Sequence, residues 1–412
     1  MNILHISTSD FGGAGNAAIR LHLGLLNTNI NSKFLTYYKK NNYPEVFDLN
    51  QSNNKLQKNI NFFKFGFWEG INRIKLLNRS NDFEIFTYPK SLLKIYKHQL
   101  INWADIIHLH WIAYFIDYPS FFTYIKNKPI VWTLHDMNPF TGGCHHARDC
   151  KNYLDNCKKC PQLKNTLTIN YSNKIFNIKK KSYQDLNLKV ITPSNWLKIC
   201  SEQSSLFKGF QHFHIRNGID TKKYLFIEKN QARKKLNLNE HLKILLFIAD
   251  WLERPAKGLK FLLKAIENLQ INNILIILIG KSNNNYSSKK IKQVGFIDFE
   301  NLALYYSASD SLIVPSLEDN LPNTIVESHL FGTPVIGFPV GGIPEMIEEY
   351  KTGIITDDTA AEALQKAIIH FFQNSEKFNS EYIRNKAIEL YDINNQVKRY
   401  IDIYLSFQNS KV

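Results

Sequence analysis

The run Val314-Pro-Ser-Leu-Glu-Asp-Asn-Leu-Pro-Asn-Thr-Ile-Val-Glu327-Ser-His-Leu-Phe-Gly-Thr-Pro-Val-Ile-Gly337 leaves a chain few ways to fold. It reads as a strand, a polar loop, a short helix, a glycine stop and a second strand, one step of a parallel sheet. Asn323 is placed to cap that helix, which predicts that the N–H groups of Thr324 and Ile325 point out of its N-terminus. A helix N-terminus facing a loop after a strand is a ready phosphate site. Glu327, read as lying in the first helical turn, offers a carboxylate that accepts two hydrogen bonds from a ribose diol. Together these residues suit a pocket for a sugar nucleotide. The same pattern also fits an ordinary βαβ unit with no ligand.

At 412 residues the length favours two domains over one. Each half has material for a core, since 44% of the residues are hydrophobic. The strongest apolar runs, Ile274–Ile279 and Ile244–Ile248, suit buried parallel strands and fall far short of a membrane span. The start, Met1-Asn-Ile-Leu-His-Ile-Ser, has no basic leader and no cleavage site, and reads as a first strand. The expectation is a cytoplasmic protein. The net charge is +15. No basic stripe or known module argues for nucleic acid. The lysines are scattered among Asn and Ile, as general compositional bias would leave them. They also suit attraction to an anionic membrane surface, with Lys179-Lys180-Lys181 and Lys39-Lys40 as the candidate clusters.

Strand Asn2–Ser7 leads into Gly12-Gly13-Ala14-Gly15 and a helical stretch, Asn16–Leu26. This is not the dinucleotide fingerprint, but glycines such as Gly13 would let backbone N–H groups approach a phosphate or sugar. Residues 41–100 show no clear period and predict helices and loops with mobile parts. Order returns at Ala104–Trp111 and Pro129–Asp136, two short strands whose ends carry His110 and His135. Strand Lys189–Thr192 follows. Further strands are expected at Leu242–Ile248, Asn273–Ile279, Lys292–Val294, Ser311–Val314 and Val335–Phe338.

On the segment from Asp319 to Val335 the chain resembles the retaining GT-B glycosyltransferases of family 4, in which an acidic residue, seven others and a Glu precede a Gly-Thr-Pro-Val turn. It is most similar to the subset that builds bacterial surface polysaccharides of the colanic acid or O-antigen type. The element Asn217-Gly218-Ile219-Asp220 resembles the one that ends the first domain in that family. The resemblance covers most of the chain. It implies an α/β fold with two Rossmann-like, doubly wound domains facing across a cleft. The implied domains are an acceptor-side domain, 1–220, with a cysteine-rich loop at 144–160, and a donor-binding domain, 221–392. A helix at 393–412, with Val397, Tyr400, Ile401 and Tyr404 on one face, would cross back to the first.

The resemblance also assigns roles. Arg254 and Lys257 would hold the donor diphosphate, where Arg supplies a planar fork of donors and Lys a point charge. Thr324 would contact phosphate beside Asn323, and Glu327 would bind the ribose. Gly295, Phe296 and Ile297 would meet the base. The family usually has Glu at the first acidic position. Here Asp319 stands there with Glu318 beside it, and one of the two is expected to face the sugar hydroxyls. His135 would hydrogen-bond the donor sugar, with Asp136 orienting the imidazole or accepting a proton. His110 reads as a packing or supporting residue.

Four of the five cysteines fall in one window, Cys144, Cys150, Cys157 and Cys160, the last two as a C-x-x-C. Clustered thiols in a cytoplasmic chain favour structural zinc over disulfides or a redox role, with reduced thiols as the plainer alternative. His145, His146 and Asp149 are alternates for one ligand. No catalytic cofactor is expected. The function implied is metal-independent transfer of a hexose, with retention, from a nucleotide diphosphate sugar to a hydroxyl of a glycan. The acceptor would be lipid-linked at the inner face of the plasma membrane. The alternatives are a sugar-nucleotide epimerase or hydrolase on the same fold, or a non-catalytic membrane-associated scaffold.

Overall fold

Short apolar strands separated by helical stretches can pair in parallel only through right-handed crossovers, which leave helices over the faces of the sheet. The computed structural model, which describes residues 1–50, 54–163, 170–267 and 269–408, has two such sheets. One unit comprises Met1–Ile219 and the chain from Ile393 onward, and the other Asp220–Asp392.

In the first unit the strands are β1 (Asn2–Ser9), β2 (Asn31–Tyr38), β3 (Val46–Asp48), β4 (Ile106–Leu109), β5 (Ile130–Thr133), β6 (Leu188–Thr192) and β7 (Gln211–His214). Their order is β3-β2-β1-β4-β5-β6-β7, parallel throughout. In the second they are β8 (Lys243–Trp251), β9 (Ile274–Lys281), β10 (Ile291–Gly295), β11 (Ser311–Val314), β12 (Val335–Gly337) and β13 (Gly353–Ile355). Their order is β10-β9-β8-β11-β12-β13, also parallel. The strand order reverses between β1 and β4 in one sheet and between β8 and β11 in the other. Such switch points open a crevice beyond the carboxyl ends of the strands.

Central strands covered on both faces need apolar residues at every position, and β4, β5 and β11 are buried along their whole length. Helix Leu259–Glu267 covers the second sheet with Leu259, Leu262, Ala265 and Ile266 at helical spacing. Each buried Leu or Ile there contributes roughly 1.5–3 kcal/mol. The helix Ile393–Leu405 packs on Gly12–Leu26, burying Val397, Tyr400 and Tyr404. A Cβ on Gly24 would lie 2.6 Å from Val397 Cγ2, so glycine sets how closely the two helices approach. Residues 409–412 of the expected crossing segment lie outside the described residues.

Three expectations need correction. The first helix begins at Gly12, so the glycine run is its opening turn and not a loop before it. Residues 41–100, expected to hold helices and loops, do hold the 21-residue helix Lys55–Lys75, but also the unforeseen strand β3. That helix buries only Asn61, Phe65 and Asn72, so its pattern inverts the usual apolar-inside signal. Strands β2, β7 and β13 were missed as well; β13 has three residues, too few for a period to show.

Candidate functional site

Three loops of the second unit converge on Asp319. The loop after β8 turns through Gly258, at φ +74°, where a Cβ would fall 1.8 Å from Pro315 O. Only glycine permits that approach. Ala256 O accepts the Leu317 N–H at 2.8 Å and ties this loop to the one after β11. The loop after β12 comes equally close: a Cβ on Gly341, at φ +59°, would fall 1.8 Å from Asp319 O, which also accepts the Gly342 N–H. This packing brings Lys257 Nζ to 2.7 Å from Asp319 Oδ2. Both side chains are largely shielded, at 27% and 14% exposure, so the pair is held more firmly than a surface ion pair. Arg254, expected to share the diphosphate, extends instead to Asp250 Oδ2 at 3.1 Å, in a more exposed pair.

Helix Asn323–Leu330 opens beside this cluster. Its cap is Pro322 and not Asn323, which is the first helical residue and makes no side-chain cap. Proline suits that boundary because its φ is preset and its missing N–H costs nothing there. Of the two N–H groups expected to point outward, that of Ile325 is spent on Pro322 O. Glu327 therefore stands in the second turn, and its Oε2 accepts from the Tyr306 hydroxyl at 3.0 Å. Tyr306, wholly buried on helix Phe299–Ala308, has no motif to announce it. Burial raises its pKa well above the usual phenol value, helped by the Glu327 charge, so it stays a donor. Glu318 is buried beside Asp319. Gly295 sits at φ +85° at the end of β10, with Phe296 exposed and Lys281 Nζ 5.8 Å from its ring. Ile297 follows on the same exposed turn.

In the first unit Gly13 is a helical residue with open space where a side chain would be. At the carboxyl ends of β4 and β5 the structure brings together more histidines than the sequence suggested. His135 Nε2 lies 3.2 Å from His110 Nδ1, and His110 Nε2 lies 3.0 Å from His5 Nδ1. His108 is held by Tyr404 and Thr133. His110 is thus the group that orients His135. The Asp136 carboxylate is occupied by His145 Nδ1 at 2.7 Å, Trp111 Nε1 at 2.9 Å and the Asn138 N–H at 2.8 Å.

Burial pushes the His135 pKa down to about 4, against the opposing pull of Asp136. Burial and neighbouring histidines lower His5 and His110 well below the usual value. Neutral rings must alternate donor and acceptor along the chain. His5 Nε2 is buried without a hydrogen-bond partner among the described residues. A bare lone pair there costs less than an orphaned N–H, so His5 carries its proton on Nδ1 and donates to His110. His110 then donates to His135 Nε2, and His135 is left with an N–H at Nδ1. The ring at the strand end is a donor, not a base. Burial works to raise the Asp136 pKa, but the charge and hydrogen bond of His145 outweigh it and bring it to about 2.

The four cysteines line one small cavity. His145, proposed as an alternate ligand, is not available, because Asp136 and Thr87 occupy both ring nitrogens. Lys179, expected on the surface with Lys180 and Lys181, is buried; its ammonium bonds Asn138 O and, at 3.1 Å, Thr141 O.

Residues 228–388, most of the second unit, match the family model described as glycosyl transferases group 1. A colanic acid biosynthesis glycosyl transferase, WcaC of Escherichia coli K12, so described as putative, is 24% identical over 89% of this chain and 90% of its own length. An uncharacterized 41.2 kDa protein in the cps region of Klebsiella pneumoniae is 28% identical over 44% of this chain, a match spanning about half (52%) of that protein. Among solved structures, sucrose-phosphate synthase from Thermosynechococcus elongatus aligns over 99% of both chains with a TM-score of 0.67 at 18% identity. Anabaena Alr3699/HepE in complex with UDP-glucose aligns over 98% of this chain and 100% of its own, with a TM-score of 0.64 at 14% identity. The fold is GT-B, as the sequence led one to expect, and the chain is a glycosyltransferase.

Proposed function

We propose that this glycosyltransferase moves a hexose from a nucleotide diphosphate sugar to a glycan hydroxyl, with retention and without a catalytic metal. The observation that carries the proposal is the Lys257–Asp319 pair, fixed at the β8/β11 switch point beside the opening of helix Asn323–Leu330. An entering diphosphate competes for Lys257 and frees Asp319 for a sugar hydroxyl. The ammonium, Arg254 and the N–H groups near Asn323 and Thr324 then stand where negative charge grows on the leaving diphosphate. Glu327, steadied by Tyr306, takes the ribose diol. Gly295, Phe296 and Ile297 meet the base, largely through backbone groups. His135 donates to a sugar hydroxyl through Nδ1, while Asp136 keeps the surrounding loop in place. No protein nucleophile is required if the departing phosphate accepts the acceptor's proton on the same face. HepE in its UDP-glucose complex supports a nucleotide sugar as donor.

The acceptor in this proposal is a lipid-linked precursor of a surface polysaccharide, a reading supported by the name of the E. coli relative. No helix among the described residues is long and apolar enough to cross a membrane. Helix Lys55–Lys75 presents Leu56, Ile60, Phe63, Phe67 and Ile74 on one exposed stripe. Lysines 55, 58 and 64 flank that stripe, the pattern of a helix lying on an anionic surface.

The test is transfer from UDP-, GDP- and ADP-hexoses to glycan acceptors, with the product anomer read by NMR and EDTA present throughout. A glycoside with the donor's anomeric configuration is expected. Free sugar or an epimer, formed equally without acceptor, would replace this reading with hydrolysis or epimerisation.

A further inference from the structure

The geometry points to a structural zinc ion held by Cys144, Cys150, Cys157 and Cys160 in the first unit, apart from the transfer chemistry. All four are free thiols and line one cavity with Phe86 and Gly142. Chain segments far from regular structure are bent to bring them there. Cys157 and Lys159 both adopt positive φ, at 53° and 52°, which non-glycine residues rarely accept. Gly142 and Gly143 admit no side chain. A Cβ on Gly142 would lie 2.7 Å from Cys157 Cβ, and one on Gly143 would lie 2.5 Å from the Phe86 ring.

One sulfur is also already served by a backbone donor. Gly142 N–H reaches Cys157 Sγ at 3.1 Å. A thiol accepts hydrogen bonds weakly. An N–H aimed at a buried sulfur suits a thiolate on a metal, whose surplus charge such a group stabilises. Four thiolates on Zn²⁺ leave a net charge of −2. Buried Lys179 and half-buried Arg79, the latter bonded to Gln162 Oε1 at 2.7 Å, supply positive charge beside them. Binding is balanced as four Cys–SH plus Zn²⁺ giving the tetrathiolate and four protons.

The four sulfurs ring the cavity more widely than bonds to one zinc ion would set them. Among the described residues the donor atoms gathered within 4.8 Å of one another are those of His5, His108 and His110. Filling the cysteine site therefore draws the sulfurs inward to roughly 3.8 Å apart, the spacing set by Zn–S bonds near 2.3 Å. The histidine trio is less suited to an ion, since all its nitrogens but His5 Nε2 are spent on one another and on Tyr404, Thr133 and His135.

The test is metal analysis of the full chain, purified from zinc-supplemented medium without chelator. It is paired with exchange into Co²⁺. About one zinc per chain is expected, released by a mercurial reagent. Cobalt should give tetrahedral ligand-field bands with intense thiolate charge transfer, which the histidine trio would not produce. Cys200→Ser should keep the zinc, and Cys157→Ser/Cys160→Ser should lose it. A zinc-free wild-type chain with five titratable thiols would overturn the proposal. So would cobalt bands without charge transfer, or full zinc in the double variant.

Discussion

At the switch point of the first sheet, β1 and β4 pair His5 with His108; at that of the second, β8 and β11 pair Leu246 with Leu312. The surrounding residues repeat the contrast. The first unit buries His5, His22, His108, His110 and His145 and half-buries His135, whereas the second buries His329 alone among its described histidines. The second unit thus keeps an aliphatic sheet and places its charges on the loops at the strand ends. The first carries polarity into its core, where buried rings are held by hydrogen bonds. One unit sets a shielded ion pair, Lys257–Asp319, at its rim. The other is built to hold ring orientations and a cluster of sulfurs.

The largest expected effect breaks the second unit's side of this contrast. Lys257→Ala should lower kcat roughly 10²- to 10³-fold, the usual cost of losing a group that meets developing charge, with little change in Tm. Initial rates and melting curves check it; near-normal turnover would remove Lys257 from the site. Next come two glycines that look alike in sequence. Gly258→Ala places a Cβ against Pro315 O at positive φ, and should cost well over about 1 kcal/mol of stability. Gly13→Ala meets nothing within 4 Å in a helix, and should add about 0.5–1 kcal/mol. Denaturant unfolding of both variants sharpens the comparison, and equal effects would undo it.

Acidification should separate the units again. His135 is held at about 4 when folded, against about 6.5 when unfolded. Between those values the unfolded chain takes up a proton that the folded chain refuses. The stability is therefore complete above about 6.5 and is lost as the pH falls toward 4. His5, His22, His108 and His110 shift in the same direction. The contribution of Asp136 begins to fail only below its ordinary 3.8. Hydrogen exchange at pH 7 and pH 5 should show protection lost in β1, β4 and β5 before β8 and β11. The smallest effect is expected of Tyr306→Phe, which removes the hydroxyl from Glu327. It should raise the donor KM about 5- to 10-fold, equivalent to one hydrogen bond of about 1 kcal/mol, and leave kcat nearly unchanged.

The second unit was the more legible in sequence because its signals are local. Strand β11, the Pro322 boundary, helix Asn323–Leu330 and the stop at Gly332 follow one another within a few residues. Periodicity and breakers report such neighbours well. The partners that complete the site come from elsewhere in the chain. Tyr306 meets Glu327 across 21 positions, and His5 meets His110 across 105. No periodicity records such meetings; the sheet order makes them. Asn323 misled for a different reason, since a good capping residue beside a proline competes with the preset φ of that proline. Helices were expected in residues 41–100, but the bounds of Lys55–Lys75 escaped, since polar Asn61 and Asn72 are buried where apolar residues usually mark the inner face.

The central claim is that the second unit binds a nucleotide diphosphate through Lys257 without metal. Calorimetric titration of UDP, GDP and ADP in EDTA tests it most directly, using the wild-type chain, Lys257→Ala and His135→Ala. One nucleotide should bind the wild type and His135→Ala alike, and bind Lys257→Ala at least tenfold more weakly. Equal binding by Lys257→Ala, or no binding of any nucleotide until a divalent cation is added, would contradict it.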